Sequence, residues 1–306
     1  MKVFRGLEGI PAFKTGTVVA VGNFDGLHLG HRKILRRVAS LARSKNLFSL
    51  VLTFDPHPAR SFKGRAVPLI QTLDQRLEGL KKAGIKGTLI LPFDRAFSRL
   101  SGRAFAERVL ARSLRARDIV VGEDFRFGFR RRFGIADLAR LGREFGFGVH
   151  AVAPVILDGR PVSSSRIRGL IAEGDVEGAA GPLGAPYEIT GLVIRGAGRG
   201  AGLGIPTANL RTPNEILPPG VFLTEAGSGG RLLPSVTNIG TGPTFESRPV
   251  HPETHILGAR RPLYGRKLRV LFVKKIRNER KFASPAALVR RIRLDIKKAH
   301  EYFGRE

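Results

Sequence analysis

The chain has 306 residues and carries 53 Lys and Arg against 25 Asp and Glu, a formal net charge of +28. Hydrophobic residues make up 42% of it, enough to fill real cores, which excludes disorder as the main state and, at this length, predicts two domains. Cysteine is absent, which excludes disulfides, thiolate metal sites and cysteine nucleophiles together.

The N-terminal stretch "MKVFRGLEGIPAFKTG" lacks the continuous apolar core of a signal peptide. No run nears the roughly 20 apolar residues of a membrane-crossing helix. A soluble, cytoplasmic protein with no membrane partner is therefore expected. The charge predicts attraction to phosphates, whether on nucleic acid, anionic lipid or small substrates. Scattered basic residues on solvated helix faces would give the same total.

Through the first half, short β-type runs alternate with helix-period segments. Strands are expected at 17–22, 47–54, 88–93, 118–122 and 148–155. Between them lie "HRKILRRVASLARSKN", "LDQRLEGLKKAG", "GRAFAERVLARSL" and "GIADLARLGREFG". In the first of these, Ile34, Leu35, Val38, Leu41 and Ala42 share one helix face, and Leu73, Leu77 and Leu80 repeat the pattern in the second. Such alternation predicts an α/β unit, a doubly wound parallel sheet with helices on both sides and ligands at the C-terminal strand ends. The polar clusters after Gly22, Phe54 and Gly122 fall at those ends.

The pattern changes near residue 184, so the expected domains are 1–184 and 185–306. "YEITGLVIRG", "GVFLTEAG", "LPSVTNIG", "ETHILG" and "KLRVLFVKKIR" read as short strands of a small antiparallel barrel or sandwich. "SPAALVRRIRLDIKKAHEYF" reads as a closing helix, capped by Ser284 with Pro285 in its first turn. Leu288, Ile292, Ile296 and Phe303 are expected inward, and Arg290, Arg291, Arg293, Lys297 and Lys298 mostly in water.

"GNFDGLHLGH" lies where the first strand hands over to a helix. Gly22 permits a tight turn, and the helix start offers unpaired N–H groups and a positive dipole end, an anion site. His28 and His31 beside it can donate to phosphate oxygens. A metal site would want a third ligand, and the spacing fits no zinc pattern. Residue chemistry alone leaves an anion cradle and an accidental pair both open.

The stretch resembles the H-x-G-H signature of nucleotidyltransferases, in the variant G-x-F-D-G-x-H-x-G-H of the prokaryotic bifunctional riboflavin kinase/FAD synthetase family. "TFDPHP" (53–58), "VGEDFRFG" (121–128) and "SSSRIR" (163–168) resemble that family's later motifs, in its order. The resemblance implies a nucleotidyltransferase fold for this half, which would transfer AMP from ATP to FMN. It implies ATP and phosphate contacts at Gly22, Asn23, Phe24, Asp25, Gly30, His57, Ser163, Ser164, Ser165 and Arg168. Asp124, Phe125, Arg126 and Phe127 would line the flavin and adenine side. His28 and His31 would be catalytic. On residue type alone, Phe125 and Phe127 read as core and His57 as a turn residue. Ser165 stands where the family usually has Thr, and the hydroxyl is kept. The FMN phosphate is already ionised, so the reaction needs positioning and charge neutralisation rather than a strong base or a covalent nucleophile.

"GAGRGAGLGIPTANL" (196–210) is glycine-rich, alone a weak sign of a phosphate cradle. Its run Leu203–Leu210 resembles the riboflavin kinase motif of the same family. That implies ATP contacts at Gly198, Gly204, Pro206, Thr207 and Asn209. Thr207 and Asn209 would also hold Mg²⁺, for which hard oxygen ligands are suited. "PPGVF", "VTNIGTGPTF", "ETHIL", "LYG" and "IRNERKF" follow in family order. Glu253 stands at the family's catalytic base, which would take the proton of the riboflavin 5′-hydroxyl. Read in isolation it is a surface carboxylate. The chain departs from the family at Gly258-Ala259-Arg260-Arg261, where Asp-Phe is usual, and at Gly242, where Arg is frequent.

The resemblance spans 15–303 and implies a two-site flavin enzyme whose partners are riboflavin, FMN, FAD and ATP. It implies no specific nucleic acid and leaves room for a weak or transient homo-oligomer. A class I aminoacyl-tRNA synthetase would share H-x-G-H and suit the charge. This chain is short for that class and lacks a K-M-S-K-S-like loop. A non-catalytic nucleic-acid binder would suit the charge too, but aromatics are only 8% and no RRM, KH or helix-turn-helix signature is present.

Overall fold

A computed structural model of the chain describes residues 1–60, 67–196, 204–240, 252–259 and 263–304. It divides into two compact units, Met1–Pro68 with Thr72–Ser163, and Leu69–Gln71 with Ser164–Glu306.

The first unit is built on six strands: β1 (Lys2–Arg5), β2 (Thr17–Val21), β3 (Phe48–Phe54), β4 (Gly87–Leu91), β5 (Ala116–Gly122) and β6 (Gly148–Val152). Their order is β1-β4-β3-β2-β5-β6 and every pairing is parallel. β2 and β4 are buried at every position, as continuous apolar runs covered on both faces must be. Alternate residues enter opposite cores: Val19 and Val21 pack with Leu50 and Ile119, Val18 and Ala20 with Val51 and Val120. From β2 the chain winds outward through β3 and β4, then returns to place β5 and β6 on the other side of β2. The topological switch point lies between β2 and β5, where such sheets bind ligands. β1 was not expected; four mostly exposed residues on a sheet edge leave little pattern to read.

Helix α1 (Leu29–Ser44) buries Leu35, Val38, Leu41 and Ala42, as expected, with Ile34 at the margin. Helix α2 (Leu73–Lys82) starts from a capping box at Thr72 and Gln75. A short α3 (Arg95–Ser98) precedes α4 (Gly102–Ala104), which continues as π-helix over Phe105–Ser113 where one regular helix was expected. Helix α5 (Ile135–Phe145) follows β5. The strand expected over 148–155 stops at Val152, and a small antiparallel pair, β7 (Ile156–Leu157) and β8 (Arg160–Pro161), follows.

The second unit opens with α6 (Ser164–Ala172) and α7 (Val176–Leu183). Six strands, β9 (Tyr187–Ile194), β10 (Ala208–Arg211), β11 (Gly220–Gly227), β12 (Leu233–Ile239), β13 (Glu253–Ile256) and β14 (Lys267–Arg277), close an antiparallel barrel in the order β10-β13-β12-β11-β14-β9. Because α7 packs on β9 and β14, the compact unit begins at Ser164, ahead of the boundary expected at 184/185. β10 falls inside the stretch that reads as a glycine-rich loop. Tyr187, Phe222 and Phe272 fill the interior, beside a ladder of buried hydroxyls in which Thr224 bonds Ser235 and Thr237 at 2.8 Å and Thr237 bonds Thr254 at 3.0 Å.

Helix α8 (Pro285–Phe303) closes the chain, with the Ser284 hydroxyl accepting from the Ala287 N–H at 3.2 Å. Ile296, Ala299 and Phe303 pack on Val221, Leu223 and Val236, while Leu288 and Ile292 are only half-buried. One expectation is corrected. Arg291 does not face water but lies 3.2 Å from the carboxylate of Asp295, which also receives Arg277 at 2.9 Å. Asp295 is 1% exposed, and a buried carboxylate needs such partners.

Candidate active sites

Beyond Val21 the sheet ladder gives out, and residues 22–28 form the loop into α1. His28 is the N-cap of α1: its Nδ1 accepts the backbone N–H of His31 at 3.3 Å. A neutral imidazole that accepts at Nδ1 carries its proton on Nε2, which is left as a donor. The His28 and His31 rings stack with centroids 3.7 Å apart, and Phe24 lies 5.2 Å from His31. A Cβ on Gly30 would come within 3.2 Å of the His28 ring, so a small residue between the histidines keeps the stack close. Burial, then the charges of His28 and Arg76, hold His31 well below the usual histidine range. Its Nδ1 is buried and has no hydrogen-bond partner among the described residues.

Arg76 was missed in the sequence. It lies on α2 and is 2% exposed. Its Nη1 donates to the Asn23 carbonyl at 2.8 Å and to the Thr53 hydroxyl at 3.2 Å. The Thr53 hydroxyl in turn donates to the same carbonyl at 3.2 Å. The available signal was an arginine at helical spacing between Leu73 and Leu80, on the apolar face where a hydrophobe is normal.

Asp25 is buried in the same loop. His57 is nearly buried after β3, and its Nδ1 accepts the Ala59 N–H at 3.2 Å, closing the turn Pro58–Arg60. Adjacent parallel strands bring the loop after β5 beside the loop after β2. There Asp124 and Arg126 are exposed and Phe125 is half-buried. Phe127 is in the core, stacked under Phe125 at 5.6 Å with the rings 13° apart. Ser163 is the last residue of the first unit, and Ser164, Ser165 and Arg168 lie on α6 of the second.

In the barrel, Asn209 of β10 and Asn238 of β12 each stand directly opposite Glu253 of β13. The three side chains therefore share one face, opposite to the one that sends Thr254 into the hydroxyl ladder. Thr207 lies just before β10. His255, two residues beyond Glu253, donates from Nδ1 to the Pro206 carbonyl at 2.8 Å and ties this segment to β13. That link, too, was missed. A Cβ on Gly196 would come within 2.2 Å of the Asn209 amide, so the backbone there lies directly against that side chain. Gly204 has φ +72, a backbone that favours glycine. Gly198, Gly242, Arg260 and Arg261 lie outside the described residues. Gly258 and Ala259 form a turn closed by the Ala259 N–H on the Ile256 carbonyl at 3.3 Å.

A parallel sheet with a histidine-capped helix start at its switch point, joined in one chain to a closed barrel bearing a carboxylate between two amides, defines a two-part transferase of phosphate-bearing substrates. Residues 10–166 match the FAD synthetase family and residues 183–303 the riboflavin kinase family. A relative from Escherichia coli, a bifunctional riboflavin kinase/FMN adenylyltransferase, is 36% identical over 99% of this chain and 98% of its own. One of the same name from Haemophilus influenzae is 34% identical over 99% of this chain and 100% of its own. The chain belongs to the family of bifunctional riboflavin kinase/FMN adenylyltransferases, with the FAD synthetase part first and the kinase part second. A solved structure of a protein from Streptococcus pneumoniae, named there a macrolide-efflux protein, superposes with a TM-score of 0.89 at 28% identity, covering 98% of this chain and 99% of that one. That name describes the other protein; among the described residues here, no helix is long and apolar enough to cross a membrane.

Proposed function

We propose that the two activities use two separate sets of residues, adenylyl transfer within 1–184 and riboflavin phosphorylation within 185–306. The observation that carries the first is the stacked His28–His31 pair at the start of α1. A phosphate oxygen of FMN attacks the α-phosphorus of ATP as the bond to the β-phosphate breaks, and pyrophosphate leaves. Charge grows on the α- and β-phosphate oxygens. The His28 Nε2–H, the neutral His31 ring and the first N–H groups of α1 meet it. Within the first unit, Asn23, Asp25, His57 and Ser163 hold the triphosphate in register. Asp124, Phe125 and Arg126 present the flavin side, with Phe127 as the floor beneath Phe125.

In the barrel, Glu253 accepts the proton of the riboflavin 5′-hydroxyl as its oxygen attacks the γ-phosphorus of ATP. Its exposed place between two amides supports that role. Among the described residues no group of three His, Cys, Asp or Glu could hold a metal ion, so a cation here would rest on neutral oxygens and phosphates. The Thr207 hydroxyl and the Asn209 amide oxygen, against the close backbone of Gly196, are a donor set that fits Mg²⁺. When bound, Mg²⁺ would screen the phosphate charges. The setting is cytoplasmic, with no specific nucleic-acid partner and room for a weak or transient homo-oligomer.

Incubation with riboflavin, ATP and Mg²⁺, followed by flavin chromatography, should yield FMN and then FAD. FMN supplied alone with ATP should give FAD and pyrophosphate. If neither product appeared, the reading would fail.

A further inference from the structure

We propose that Arg76 is a positioning residue for FMN adenylylation: its guanidinium ties the end of β2 to the end of β3. The inference rests on the adenylyl-transfer reading of His28 and His31.

The last backbone bond of the ladder between these strands runs from the Gly22 N–H to the Leu52 carbonyl at 3.1 Å. One residue further on each strand, side chains take over. Arg76 bonds the Asn23 carbonyl and the Thr53 hydroxyl together. Asn23 leads into Asp25 and the histidine pair, and Thr53 leads toward His57. One guanidinium thus sets the spacing of both phosphate-facing loops.

The first loop needs such support. Phe24 and Leu27 have φ of 51° and 43°, left-handed backbone that is strained for non-glycine residues. It persists only where the surroundings over-determine it. Helix α2 supplies part of the constraint at a second point. Gly79, one turn beyond Arg76, lies so close that a Cβ there would come within 2.2 Å of Leu27.

An apolar residue would fill position 76 at less cost. Burying a guanidinium is costly unless it is well partnered. Arg76 nevertheless keeps a buried Nε with no hydrogen-bond partner among the described residues. Asp25 and Asp55 act on it by charge, offsetting part of its burial. The Arg76 charge opposes a proton on the His31 ring. A neutral His31 donates to a phosphate without having to be discharged later.

The test compares Arg76→Met, Arg76→Lys and His31→Ala in the full chain. Arg76→Met should lower kcat for FMN adenylylation about a hundredfold, the scale of a misplaced loop. Riboflavin phosphorylation by the same preparation should not change. Arg76→Lys, which keeps the charge and one donor, should recover at least about tenfold of the loss. By NMR, the His31 titration midpoint should rise in Arg76→Met and stay depressed in Arg76→Lys. Unchanged adenylylation in Arg76→Met, with His31→Ala inactive, overturns the role of Arg76 alone. Equal losses in both Arg76 variants with an unmoved His31 midpoint also overturn it, since packing would explain them. Full adenylylation in His31→Ala would instead sink the underlying site. If Arg76→Met fails to fold, Thr53→Val, which removes one bonded partner, must lower adenylylation with phosphorylation intact; no loss there overturns the proposal.

Discussion

In the first unit the histidines proposed for adenylyl transfer lie past the ends of strands, on a loop whose backbone is strained at Phe24 and Leu27. In the barrel, Asn209, Asn238 and Glu253 lie within paired strands, at fixed places in the register. A loop-built site must be held by side chains, here the His28 cap and Arg76. A strand-built site is held by the ladder itself, so its side chains are not needed to hold the backbone. Substitution should accordingly disturb geometry in the first unit and chemistry in the second.

Glu253→Ala puts the sharpest load on that contrast. It removes the proposed base and leaves the ladder, so FMN formation should fall by about 10²–10⁴-fold. Conversion of FMN to FAD should continue at its normal rate, read by flavin chromatography. A folded variant that lost both activities would end the two-site description. His28→Ala combined with His31→Ala should do the reverse, lowering adenylylation by about 10²–10³-fold while phosphorylation persists.

The two regions also differed in how openly the sequence spoke. β2 through β5 were legible because buried parallel strands are largely continuous apolar runs, the edge strand β6 through its strand-helix alternation with α5, and the Leu35–Ala42 face because it repeats at helical spacing. Within the barrel, β11 and β14 were read at their observed bounds, whereas β10 was hidden in a glycine-rich stretch that also carries Thr207 and Asn209. Glu253 stood out only through its motif; by residue type it was a surface carboxylate. Asp295 and His255 were not legible, and Arg76 offered only its place on an apolar helix face. Each is a charged or polar residue whose meaning comes from a partner far along the chain: Asn23, Arg277 and Pro206. Local periodicity carries no information about such pairs, and it sent Arg291 to water when Asp295 needed it.

A smaller effect should separate barrel core from barrel surface. Thr237 joins Thr224 to Thr254 inside the barrel, with its hydroxyl wholly buried. Thr237→Val keeps the shape but leaves neighbouring hydroxyls short of a partner, at a cost of about 1–3 kcal/mol. Denaturation should show that loss in the second unit. The phosphorylation rate of the folded fraction should hold, because Glu253 faces the other way. A rate that fell with stability would mean that the ladder reaches the chemistry.

The smallest and most diagnostic contrast is acidity. His31 is held well below the usual histidine value by burial, His28 and Arg76. The unfolded chain, with an ordinary histidine near pH 6.5, binds more protons than the folded one below that pH. The stability from a neutral His31 is therefore complete above about pH 6.5 and is lost as the pH falls toward the folded value. Acid acts on the cap as well. The His28 Nδ1 accepts a hydrogen bond, and a proton placed there turns the acceptor into a donor and releases the His31 N–H. In the barrel, His255 donates from Nδ1 to the Pro206 carbonyl, a bond that an imidazolium makes equally well. Amide exchange, corrected for its intrinsic pH dependence, should thus accelerate in Thr17–Val21 on stepping below about pH 6.5, and much less in Gly220–Gly227. Equal acceleration in both strands would mean that the histidine cap is not what sets the acid limit of the first unit.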